Sequence, residues 1–559
     1  MKKLEDELRL RLNDDEQVPY PDFDAMWERM QQIQTDQEWK NTSSVPFVRK
    51  RKVKRIAVAA TLGALLAAAP VYAAVHYDWD TLLRWNSGVQ TALKQNLGQE
   101  LEQSVTRDGI TLTLHTAVVD ENQTVILYSL DIGKHNKNEF WSFAGISLKD
   151  KEGKVVDLQK GSQVWDDKSN RFTGYLQADW TPSGDTEEVE LSAHNLRSTS
   201  QQEKELALDP GSPELQEIAI RQDGLKSVGV QIFEQGEDKF LLATSVDFDQ
   251  PETKDWAYPR IAVYKNGAEV HSLPGGTFGT PGEHGEYTMQ QYFKRSYLSG
   301  GSASYRLLYT KLEQSLEGPW NFDLKLSKEK MKSGTFIKAL NTTLEENSQS
   351  VLKKMVTTPV QISVAIENSA KWGIMPYQKY ELLVGGKTLE GRLWSSEGRK
   401  PRIETFRFDR PANLVITPET PIVLVCRYKV TYHGGGEAPV RLTGIGTQKQ
   451  SLTTNISGYP VKWTYYKQNG DLYVESESAS PGFGGVNQTY IGTGKNRIIG
   501  KPLTVNFTGD GNNKAIDVYK NFKGTEAEIH MFYYTTDDPD KETRVVLQPG
   551  EAAGGGTEQ

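Results

Sequence analysis

Apolar residues follow three different spacings along the chain, and each predicts a different kind of element. Residues 1–40 carry a helical period. Leu4, Leu8 and Leu12 recur every four residues and predict a first helix with a thin apolar stripe. After a break at Asn13–Pro21, Phe23, Met26, Trp27, Met30 and Ile33 fall at i, i+3, i+4, i+7 and i+10. Asp22 or Asp24 serves as N-cap, so a second helix with a broad apolar face is expected. From Ile56 to Val75 the chain carries no charge and has the length, about 20 residues, that a helix needs to cross a bilayer core. Beyond about residue 104 the period drops to two, the signature of strands.

The strand region repeats itself. Ile110–Leu114 and Val125–Leu130 flank the turn Asp120-Glu121-Asn122, and Asp108-Gly109 followed by Ile110–Asp131 resembles Asp223-Gly224 followed by Leu225–Asp247. A hairpin comes next in both copies, Ile146–Leu158 turning at Glu152-Gly153 and Ile261–Leu273 turning at Asn266-Gly267. Each copy is about 100 residues, the size range of an immunoglobulin-like β-sandwich. Asp209–Pro213 links them. A third, divergent copy has Gln361–Ile366, Tyr380–Leu389, Ile403–Phe408 and Pro421–Tyr432 as strand signals. A fourth stretch supplies Val461–Tyr466, Leu472–Glu477, Leu503–Phe507 and Ile529–Tyr534. The fold class expected is mainly β, with tandem immunoglobulin-like sandwiches outside the membrane, one transmembrane helix and a short N-terminal cytoplasmic helical segment. The predicted units are 1–48 (cytoplasmic), 49–75 (basic flank and span), 76–103 (stalk), sandwiches at 104–208, 214–330 and 335–447, a β-rich unit at 452–547, and a disordered tail at 548–559.

Flanking residues orient the apolar stretch. Arg49, Lys50, Arg51, Lys52, Lys54 and Arg55 precede it, and His76–Asp80 after it holds two acids and no cation, so the positive-inside rule keeps 1–55 cytoplasmic. Tyr72, Tyr77 and Trp79 sit where an outer aromatic belt belongs. Val71-Tyr72-Ala73 makes a cleaved signal peptide the rival reading, against which stands the polar region running to residue 55. A buried core helix is a third reading, disfavoured by the cationic flank. Ala59, Gly63 and Ala67 form a small-residue row of the kind that pairs helices, or a chance product of an alanine-rich stretch. Residues 41–48 form a polar hinge, and Leu82, Leu83, Leu93 and Leu97 of the stalk are expected to pack on the first outer unit.

A net charge of -8 argues against a general nucleic-acid binder, so no DNA binding is expected. Cys426 is the single cysteine, set in the apolar run Ile422–Cys426, so no intramolecular disulfide forms. An outer region without disulfides fits a Gram-positive envelope. Eight histidines are scattered without zinc spacing, and His284 belongs with a solvated loop. Gly492-Thr493-Gly494-Lys495 lacks the remaining spacing of a phosphate-binding loop. Asp166-Asp167 and Asp537-Asp538 are read as solvated loop charge rather than calcium ligands. Trp141, Trp165, Trp180, Trp372 and Trp394 either stack on sugars or, more in keeping with a sandwich, fill the space between sheets. No catalytic residue, cofactor or metal is expected, and the chain does not read as an enzyme.

Asp22-Phe23-Asp24-Ala25-Met26-Trp27-Glu28-Arg29-Met30 before the span, and Gln103–Leu112 after it, resemble a Gram-positive, Bacillus-type family of membrane-anchored anti-sigma-factor-like proteins. These have a domain of unknown function around the transmembrane segment and a second outer one. The resemblance covers about residues 1–330. It implies that Phe23, Met26, Trp27, Met30 and Ile33 cover a sigma factor while the outer sandwiches respond to the envelope. It brings no catalytic residues, and residues 1–55 hold no His or Cys for a zinc-type mechanism. From the residues themselves, the amphipathic helix either docks in a partner's groove or rests on the membrane surface. The alternative for the whole chain is a structural or wall-binding envelope protein without a regulatory role.

Overall fold

The computed structural model describes residues 79–550 apart from 85, 213, 236–237, 282–285, 299–302, 347, 370–374, 398–401, 412–413, 435 and 504–512. The expectations for the two N-terminal helices, the hinge, the apolar stretch, His284, Trp372 and the final tail residues 551–559 lie outside that range. Among the described residues no helix is long and apolar enough to cross a membrane.

What is described is mainly β, as the alternation predicts. Asn266-Gly267 and Asn469-Gly470 both sit in two-residue hairpin turns. Their φ values are 53° and 81°, and 53° and 85°, the paired left-handed conformation that Asn and Gly adopt most readily. The strands 110–119 and 124–131 pair antiparallel, as do 225–235 and 239–248.

These hairpins build four two-layered units, joined as two nested pairs. In the first unit a sheet in the order 99–107, 110–119, 124–131, 171–178, 159–166 faces strands 140–150, 320–327 and the first part of Thr186–Leu206. Trp141, Phe143, Leu191, Trp320 and Leu324 fill the space between. In the second unit a sheet in the order 273–281, 287–294, 239–248, 225–235, 216–222 faces 260–265, 303–316 and the last part of Thr186–Leu206. That 21-residue strand serves both units. It changes partners near Asn195, whose φ of 50° interrupts the regular extended backbone.

Trp320–Ser327, which sequence order groups with residues 214–330, pairs with Thr186–Ala193 and closes the first unit. The second unit is therefore inserted within the first. The same device recurs. The third unit is opened by strands 336–343, 350–357, 361–368, 402–409, 387–397, 377–384 and 422–434, and is closed by the end of the 22-residue strand Ala527–Gln548. Val545 and Leu547 enter its core. The fourth unit lies between: the sheet 450–456, 459–468, 471–477, 515–519, 501–502 packs on 440–442, 483–491 and the first part of Ala527–Gln548, around Trp463, Leu472 and Ile529. Strand signal was expected over Leu503–Phe507; the observed strand is Lys501–Pro502, and 504–507 lie outside the described residues.

The two pairs stand side by side. Phe233, Leu241 and Tyr292 of the second unit pack on Tyr466, Tyr473, Ile516 and Val518 of the fourth. The first and third meet at the other end, with the stalk between them.

Candidate functional site

The stalk enters as two short helices, Trp79–Leu82 and Ser87–Lys94. Asn86 caps the second, its Oδ1 accepting from the Val89 N–H at 3.5 Å. Asp80 ties the two together, accepting from Gln90 Nε2 at 2.7 Å and meeting Lys94 Nζ at 3.2 Å. Gly88, Val89, Thr91 and Ala92 are buried, one face of a helix too short to persist alone in water.

That face is covered from two sides. Leu83, Val89 and Ala92 pack on Val118, Val125 and Leu127 of the first unit, on Met331 in the turn Glu329–Gly334 that leads from the first unit to the third, and on Val360 of the third. Leu93 and Leu97 pack partly buried against the same cluster, whereas Leu82 is buried without joining it. Strand 124–131 makes this possible because both of its faces are apolar: Ile126, Tyr128 and Leu130 enter the sandwich core while Val125 and Leu127 face the stalk. Gly88 lies closest to the third unit, where a Cβ built on it would come 1.9 Å from the Val360 carbonyl oxygen. Below the helix, Gln99 Nε2 donates to the Lys325 carbonyl at 2.6 Å, and Lys330 Nζ donates to the Gly98 carbonyl at 2.6 Å.

Beside this apolar patch the first and third units share a polar lock. The Asp120-Glu121-Asn122 turn is its centre. Asp120 Oδ1 accepts from the N–H groups of Asn122 (2.7 Å) and Gln123 (2.9 Å), and Oδ2 accepts from the Thr358 hydroxyl at 2.7 Å. Burial pushes the Asp120 carboxyl above the usual carboxylate range, against those donors and the nearby Arg407. Arg407 reaches across to donate to the Asn122 carbonyl (2.6 Å), Gln123 Oε1 (3.1 Å) and Asp179 Oδ1 (2.9 Å). Its guanidinium lies 4.2 Å from the centre of the Trp394 ring, whose Nε1–H also bonds Asp179. Burial lowers the Arg407 pKa, and the Asp179 and Asp120 charges oppose that shift. Sequence reading takes 120–122 only as the acidic turn of a hairpin. Strand 361–368 is buried on both faces although only Ile362, Val364 and Ile366 are an apolar face, so the polar positions Gln361 and Ser363 gave no sequence signal of the cover they receive.

On the opposite edge of this region, His115 is buried with Nδ1 3.2 Å from a Glu102 carboxylate oxygen, Nε2 2.8 Å from Ser129 Oγ, and its ring 5.9 Å from Trp79. Burial, partly offset by Glu102, lowers its pKa.

The sequence-derived partner face, Phe23, Met26, Trp27, Met30 and Ile33, lies outside the described residues. Of the tryptophans singled out, Trp141 and Trp180 are buried in the first core, Trp165 packs edge-on against Phe172 at 4.9 Å, and Trp394 belongs to the lock. Cys426 is buried, which pushes its thiol pKa up. Asp166 organises its own turn, accepting from the Ser169 hydroxyl at 2.6 Å, and Asp167 accepts from Trp165 Nε1 at 3.0 Å. Among the described residues no three His, Cys, Asp or Glu side chains are grouped to hold a metal.

Residues 48–131 match a family model described as a domain of unknown function, DUF4179. The matched segment contains the stalk and Val118, Val125 and Leu127, the buried first-unit residues of the apolar seam. No curated protein matches the chain. Among solved structures, the conserved domain protein from Bacillus anthracis is similar over 56% of this chain and 92% of that one, at 10% identity and a TM-score of 0.16, a likeness too slight to bear on the fold.

Proposed function

We propose that the chain is a single-pass membrane regulator of the anti-sigma-factor type. In this reading the helix bearing Phe23, Met26, Trp27, Met30 and Ile33 holds a sigma factor on the cytoplasmic side. Ile56–Val75 crosses the membrane, and the four sandwiches, immunoglobulin-like in size, face outside. The observation that carries it is the burial of the stalk between the first and third units. A plain tether has no need for such a junction. Here, a shift of one unit against the other moves the chain directly behind the apolar stretch. The match over 48–131 supports the same reading, because it joins the basic flank, the apolar stretch and the stalk to the hairpin that receives it.

The test is co-purification from solubilised membranes, comparing the native full-length chain with a Met26→Asp, Trp27→Asp double variant. Two carboxylates in an apolar contact should abolish recovery of a sigma factor. Equal recovery with both chains would refute the assignment.

A further inference from the structure

A second feature lies where the first and second units meet along Thr186–Leu206. A cleft of about 420 Å³ opens there, within the usual range of about 300–1,000 Å³ for small-molecule sites. Its lining includes two cations, the exposed Lys160 and the half-buried Arg197. Lys160 Nζ donates to the Phe143 carbonyl at 2.5 Å, and no carboxylate lies within ion-pair distance of it among the described residues. Burial and the neighbouring Arg197 charge hold the Lys160 pKa below the ordinary lysine value. Arg197 packs over the Trp256 ring at 5.0 Å and meets only the exposed Asp255 at the rim, at 3.8 Å. The walls offer uncovered aromatic surface: Phe140 is 55% and Tyr258 64% exposed. Tyr258 also holds a φ of 40°, a conformation disfavoured for a bulky side chain, with its ring kept in the open.

We infer that this cleft binds an anionic saccharide, with Lys160 and Arg197 holding a phosphate or carboxylate and the Phe140 and Tyr258 rings stacking on the sugar. Two cations against one acid leave a net positive lining, and the exposed rings suit the CH face of a pyranose. The choice of saccharide over nucleotide rests on the proposed outward placement; the site's chemistry does not.

Calorimetric titration of the full-length chain tests it with trehalose 6-phosphate, cellobiouronic acid, unmodified trehalose, inorganic phosphate and AMP. Saturable binding of trehalose 6-phosphate or cellobiouronic acid at least tenfold tighter than trehalose and phosphate is expected, the tighter of the two identifying the anionic group. Lys160→Gln and Arg197→Gln should each weaken it tenfold or more. Tyr258→Ala, at an exposed position that the fold does not need, should weaken it several-fold. No saturable binding, equal binding of trehalose, unchanged affinity in the variants, or tighter binding of AMP would each overturn the inference. Saccharide binding by a chain whose sandwiches prove to face the cytoplasm would leave the cleft standing and remove the regulator reading.

Discussion

Gly88→Ala distinguishes a docked stalk from a free one by the sign of its effect. In an exposed helix the exchange stabilises by up to about 1 kcal/mol, because alanine loses less backbone entropy. At position 88 the added Cβ would lie 1.9 Å from the Val360 carbonyl oxygen and 2.9 Å from Val360 Cγ1. Ordinary contact begins at 3.4 Å, so helix and third unit must separate by about 1.5 Å. A backbone carbonyl has no rotamer by which to yield. Overpacking of this kind costs about 1–3 kcal/mol, more than the propensity gain, so local destabilisation of about 1–2 kcal/mol is expected. Global unfolding of a four-unit chain is not two-state, so the assay is hydrogen exchange at the amides of residues 89–97 in the full-length chain. Exchange about tenfold faster is predicted, since about 1.4 kcal/mol is a factor of ten. Slower exchange would mean that the helix is not held against Val360, and would remove the structural basis of the proposed coupling.

Two further perturbations test the fold and its placement. Asp517 is buried, accepts from the Thr489 N–H and hydroxyl, and is pushed by burial from 3.8 up to about 7. The folded state therefore holds this proton more tightly than the unfolded one. Its stability contribution is full below pH 3.8 and is lost as pH rises to about 7, a change of about 4 kcal/mol. Asp517→Asn should raise the melting temperature of the fourth unit most at pH 8 and distinctly less at pH 5, where only about 1.6 kcal/mol of the contribution has been lost; an equal effect at both would refute the assignment. Because Cys426 is the single cysteine and is buried, cysteines introduced as Gln37→Cys and Glu152→Cys report topology cleanly with a membrane-impermeant maleimide. Position 152 should label in intact cells and position 37 only after lysis, and the reverse pattern would invert the proposed orientation.

The local elements were legible because their signals are local. Asn-Gly turns, the acidic hairpin loops and the return of the Asp-Gly motif at 223–224 placed strands and their immediate partners correctly. The nesting was not legible. Alternation in Trp320, Phe322, Leu324 and Leu326 identifies a strand but not the sheet it joins, and its partner lies more than 120 residues earlier in the chain. Likewise a single run from Ala527 to Gln548 gives no sign that its two ends serve different cores. For the seam, the clue was present in Val125-Ile126-Leu127, which breaks alternation because each face has something to cover it. Asp120 reads in sequence only as part of a hairpin turn, because nothing local reveals the Thr358 hydroxyl that meets it.

The central claim is that the junction of the first and third units governs the cytoplasmic segment. Arg407→Met keeps an apolar stem against Trp394 but removes the hydrogen bonds to Asn122, Gln123 and Asp179, and Lys151→Ala in an exposed hairpin turn serves as control. The decisive measurement is the amount of sigma factor recovered with each full-length chain from solubilised membranes, normalised to the chain itself. The account predicts at least a threefold change for Arg407→Met and none for Lys151→Ala; recovery identical across native chain, variant and control, or absent from all three, would contradict it.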